Sequence, residues 1–101
     1  MAATTKIDVQ ACDNELIIIA STAAGSSTLC HLKSGYNAPV SYVFDPAHIL
    51  PPGKYDLTVI GINWGGPGNF KVLVTAGNVT TLAGGGPATG VVYTKTIPMT
   101  I

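Results

Sequence analysis

The chain contains no arginine, a single glutamate and little charge of either sign. Arginine supplies the planar fork that binds phosphate and guanine, and nucleic-acid binders concentrate basic residues on one face. Here the only basic residues besides two histidines are Lys6, Lys33, Lys54, Lys71 and Lys95, each isolated in sequence. That spacing argues against nucleic acid as a partner, and equally against an anionic membrane surface, which attracts polybasic runs. Charged residues make up 10% of the chain, against ~25% in typical soluble proteins. A surface this poor in charge, with zero formal net charge, resists association weakly and leaves a homo-oligomer as one expectation. The other is a surface kept soluble by Ser, Thr, Asn and Gly.

Long hydrophobic runs are also missing. Residues 16–32 and 72–94 lack Asp, Glu, Lys and Arg, but Ser, Thr and Gly interrupt both and Pro87 interrupts the second. Neither supplies the ~20 predominantly apolar residues of a spanning helix. The N-terminal segment has no basic stretch followed by an apolar one, so it does not read as a signal peptide, and the default expectation is the cytoplasm. Cys12 and Cys30 are the only cysteines. Without a secretion signal they read as reduced, buried thiols. The alternative, a disulfide between them, would be worth ~3 kcal/mol in an oxidising compartment.

What is present alternates with period two. Ile7, Val9 and Ala11 alternate with Lys6, Asp8 and Gln10, the pattern of a half-buried strand. Residues 16–20 form a β-branched run suited to a central strand covered on both faces. Residues 28–33 read as a third strand, and Val40, Tyr42 and Phe44 alternate in a fourth. Pro46, Pro51 and Pro52 then exclude a regular ladder, leaving a crossover loop with one helical turn after Pro46.

Residues 54–62 give the clearest strand, with Tyr55, Leu57 and Val59 on one face, followed by a loop over 63–69. Phe70, Val72 and Val74 resume the alternation, and Gly77-Asn78 reads as a hairpin turn into residues 79–83. A flexible Gly-rich linker over 84–90 precedes a last strand with Val91, Tyr93, Ile97, Met99 and Ile101 on one face. Pro98 assigns its end to an edge or a bulge. About 7–8 strands, with turn signals every ~8–12 residues, predict one all-β domain over 1–101, an antiparallel β-sandwich.

The segment Leu50-Pro51-Pro52-Gly53-Lys54-Tyr55 resembles the tyrosine corner of immunoglobulin-like and fibronectin-type sandwiches. The resemblance implies that the Tyr55 hydroxyl bonds upstream backbone and that Leu50 plugs the core. It covers about ten residues and is specific for architecture, not for any activity. If this were the penultimate strand the domain would end soon after Ala76. The chain runs on to Ile101, so a rearranged strand order is expected.

Catalytic and cofactor signatures are sparse. Asp45, His48 and Asp56 fall short of the three or four spaced ligands a zinc site needs, and read as a turn and a surface histidine. Adjacent Cys30 and His31 point to opposite faces of a strand, which precludes a direct thiolate–imidazole pair. No catalytic residue, metal ligand or cofactor is assigned.

The loop holding Asn63, Trp64 and Asn69 is the most suggestive feature, because a lone indole between amides suits a sugar ring or a partner protein. Tyr36 and Asn37 would join this surface if their loop lies at the same end. The opposing reading is that Trp64 folds back over the open end of the core. The leading expectation is therefore a non-catalytic binding module with a protein or carbohydrate ligand. A self-associating structural protein that buries its C-terminal edge strand is the alternative, and a small hydrolase or metal enzyme ranks last.

Overall fold

The computed structural model describes residues 2–35 and 40–101. Its strands are β1 (Lys6–Asp13), β2 (Glu15–Thr22), β3 (Gly25–Lys33), β4 (Tyr42–Phe44), β5 (Lys54–Asn63), β6 (Asn69–Ala76), β7 (Asn78–Gly84) and β8 (Gly90–Thr100). They form two antiparallel four-stranded sheets in the orders β4-β1-β6-β7 and β3-β2-β5-β8. The chain is thus an all-β sandwich. The one helical element among the described residues is a 3-10 turn at Pro46–His48, capped by Asp45, whose Oδ1 accepts from the Ala47 amide at 2.9 Å.

The alternation read from the sequence places the core between the sheets. Ile7 and Val9 of β1, Leu16 and Ile18 of β2, Leu57 and Val59 of β5, and Phe70 and Val72 of β6 are all fully buried. A side chain such as Phe70 gains about 2–3 kcal/mol from leaving water. The two sheets approach closely where Phe70 lies over Gly61, and a β-carbon on Gly61 would stand 2.7 Å from the ring. Only glycine fits there.

Three β-bulges change the sequence reading. The β1–β6 register slips between Val9 and Ala11, so Gln10 is the extra residue. Past the slip the parity reverses, and Cys12 rather than Ala11 is the buried residue, opposite Phe70. In β3 the slip falls at Leu29, which lets Leu29 and Cys30 both turn inward. In β8 it falls at Val92. Val91 is consequently exposed, while Val92 and Tyr93 pack against the core. The expected single face through Val91 and Tyr93 is therefore broken.

The strand at residues 16–20 is central, between β3 and β5. Its outer face differs from the expectation of cover on both sides. Ile17 and Ile19 are half-buried there, and Ile17 is shielded by its cross-strand partner Ile60. β3 begins at Gly25, three residues earlier than the strand read over 28–33, because a two-residue turn at Ala23 and Ala24 closes the β2–β3 hairpin.

β5 carries the tyrosine and is central between β2 and β8, with three further strands after it in sequence. The Tyr55 hydroxyl donates to the Pro51 carbonyl at 2.6 Å, and Leu50 packs half-buried against the core. Pro98 lies on β8, an edge strand, as a proline in a sheet requires. Among the described residues, no helix is long and apolar enough to cross a membrane.

Candidate binding groove

Inward and outward positions on β5 decide the two residues that begin the 63–69 loop. Leu57, Val59, Gly61 and Asn63 point into the sandwich, so Trp64 points out. Asn63 is fully buried, and its side-chain amide donates to the carbonyls of Gly66, Gly86 and Ala88 at 2.8, 3.2 and 3.0 Å. Its hydrogen-bonding capacity is spent inside the protein, fastening two loops together. The Gly68 amide adds a 2.8 Å bond to the Gly86 carbonyl. The Gly-rich connection over 84–90, read as flexible, is thus anchored at its middle.

Trp64 is 61% exposed, so it does not fold back over the core. Its position is nevertheless fixed. The indole Nε1 donates to Glu15 Oε1 at 2.8 Å, and its backbone amide donates to Asn14 Oδ1 at the same distance. The Gly65 amide also donates to Asn14 Oδ1, at 3.2 Å. Asn14 in turn bonds both flanking strands through its backbone, donating to the Ile62 carbonyl and accepting from the Ser34 amide. One asparagine therefore ties the start of β2, the end of β3 and the Trp64 loop into one rim.

Glu15 opens β2, opposite Lys33 of β3 on one side and Ile62 of β5 on the other. Its second oxygen, Oε2, pairs with His31 Nε2. The Trp64 indole N–H, then His31, hold its carboxyl below the ordinary carboxylate range, and Lys33 adds to that effect. Glu15, His31, Lys33 and Trp64 share the outer face of one sheet at one end.

At that end lies an open groove of about 550 Å³, lined by Asn14, Glu15, Lys33, Ser34, Trp64, Gly65 and Gly66. That volume lies within the roughly 300–1,000 Å³ common for small-ligand sites.

The other sequence candidates lie elsewhere. Asn69 opens β6 on the other sheet, opposite Asp13, and does not line the groove. Tyr36 and Asn37 lie outside the described residues. His48 is exposed beside Asp45 at 3.8 Å. Among the described residues, no three His, Cys, Asp or Glu side chains converge as metal ligands would. Cys12 and Cys30 are free, buried thiols.

Sequence reasoning assigned no binding role to Asn14, Glu15, His31 or Lys33. Glu15 carried a usable signal, being the only glutamate and standing at the head of an apolar strand. No protein-family model, curated protein or solved structure matches this chain.

Proposed function

We propose that this chain is an immunoglobulin-like, non-catalytic binding module, and that its groove takes a carbohydrate ring stacked on Trp64. The observation carrying this reading is Trp64 itself, 61% exposed while its indole N–H is anchored to Glu15. Sugar rings present a patch of C–H groups bordered by hydroxyls. A fixed aromatic ring bordered by the Glu15 carboxylate and the Lys33 ammonium complements both parts. Anchoring the ring beforehand reduces the ordering cost of binding.

Glu15 supports a binding role over catalysis. Its lowered pKa keeps it ionised, which suits accepting hydroxyl hydrogen bonds, whereas a general acid needs its proton held near working pH. The immunoglobulin-like assignment rests on the Tyr55–Pro51 bond at the start of a core strand.

Because Trp64 is the only tryptophan, intrinsic fluorescence reports directly on the groove. Titration with a panel of neutral oligosaccharides should give saturable quenching or a blue shift. Trp64→Ala should weaken binding, measured calorimetrically, by at least about thirtyfold, the cost of a central anchor. A folded parent protein that responds to no member of a broad glycan panel refutes the carbohydrate reading.

A further inference from the structure

Each sheet of an open sandwich leaves two edge strands whose unpaired backbone groups can template another strand, and proteins commonly blunt them with charge, proline, bulges or shortness. Three of the four edges here are blunted. β4 has three residues. β3 is bulged at Leu29 and carries His31 and Lys33. β8, the strand the sequence suggests for assembly, is bulged at Val92 and carries Lys95 and Pro98. β7 differs from all of them. Its seven residues, Asn-Val-Thr-Thr-Leu-Ala-Gly, contain no charge and no proline. They pair with β6 without a register slip from Gly84 to Asn78.

We propose that β7 is a self-pairing edge, joining antiparallel to β7 of a second copy across a twofold axis through Thr81. The composition favours a second copy as the occupant. A strand without charge meets no like-charge repulsion when it pairs with itself, and the protein as a whole has zero formal charge. The pairing is also self-complementary. With Thr81 on the axis, Val79 stands opposite the partner's Ala83, Thr80 opposite the partner's Leu82, and Thr81 opposite the partner's Thr81.

These are apolar or β-branched pairs and a threonine pair, all favourable across antiparallel strands. Val79 and Thr80, both exposed in the single chain, gain cross-strand neighbours. Two four-stranded sheets become one eight-stranded sheet with a closed, isologous contact. The Trp64 groove belongs to the other sheet and stays open.

Sedimentation equilibrium of the full chain over a wide concentration range should show a reversible monomer–dimer equilibrium. Thr81→Lys, which sets two ammonium groups face to face, should shift the protein to monomer with its melting temperature nearly unchanged. Thr94→Lys on β8 should leave the dimer intact. Directly opposed residues in an antiparallel pair lie within disulfide range. Thr81→Cys should therefore give a covalent dimer under mild oxidation, whereas Val79→Cys should not.

A protein monomeric at every concentration overturns the proposal. So does a dimer that survives Thr81→Lys but is lost in Thr94→Lys, or efficient crosslinking of Val79→Cys without that of Thr81→Cys.

Discussion

Trp64 donates its indole N–H to Glu15 across 2.8 Å while the residue as a whole stays exposed to solvent. The residue is exposed and yet held at its indole N–H. That geometry is set by strand parity. Glu15 points outward from the start of β2 and Trp64 from just past the end of β5, its neighbour in the sheet.

The first prediction concerns acid. Unfolded, Glu15 titrates near its ordinary 4.5, and folded it titrates lower because Trp64 and His31 stabilise the anion. The stability it contributes is complete above the unfolded value and is lost as pH falls through the folded one. Over that window Trp64 emission should shift to the red and its anisotropy should fall, as protonation weakens the acceptor. Glu15→Gln should remove this transition. Emission that changes identically in parent and variant would show that the bond does not hold the ring.

The second prediction concerns Asn63. Its amide hydrogens are shared among three carbonyls from two loops. Asn63→Ala leaves those carbonyls without their donor and opens a hole at the end of the core, at a cost of about 2–4 kcal/mol in urea unfolding. Asn63→Asp should be at least as damaging at neutral pH, because a carboxylate can only accept hydrogen bonds. Amide exchange should accelerate in both loops before the rest of the chain. A loss under about 0.5 kcal/mol would mean that the clamp contributes nothing measurable.

These residues also show what a single sequence discloses. A sandwich of seven or eight strands was legible because half-buried strands must alternate, and the Tyr55 corner because Leu-Pro-Pro-Gly before a tyrosine is a local pattern. The bulges at Gln10, Leu29 and Val92 were not legible. Each is a mismatch between two strands, and nothing within one strand records its partner's register. The contact of Phe70 on Gly61 is invisible for the same reason.

The site was half legible. Trp64 stood out as the lone indole, but Asn63 was grouped with it as a ligand-binding residue. Carrying the alternation of Tyr55, Leu57 and Val59 two steps further places Asn63 inside and Trp64 outside. Glu15 and Lys33 lie far from Trp64 in the chain, and only the sheet order β3-β2-β5 joins them.

The last prediction concerns the thiols. Burial raises the pKa of both Cys12 and Cys30 from 9.0 to about 11. For Cys12 that rise includes smaller contributions from the neighbouring Cys30, Asp13 and Glu15, opposed by a Ser34 hydrogen bond. A shift of two units leaves roughly one hundredth of the thiolate an exposed cysteine would have. The native protein should therefore react with a disulfide reagent at pH 8 only at the rate at which it opens. Unfolding in guanidinium should release two equivalents at once.

The same shift makes the fold sensitive to alkali. The unfolded thiols ionise near 9.0 and the folded ones near 11. Their contribution is thus whole below 9.0 and declines as pH climbs towards 11. Replacing both with alanine should flatten the alkaline limb of the stability profile while lowering its plateau through lost packing. Prompt labelling of the native protein at pH 8, at the rate of a free thiol, would place at least one sulfur in solvent and contradict the burial of Cys12 or of Cys30.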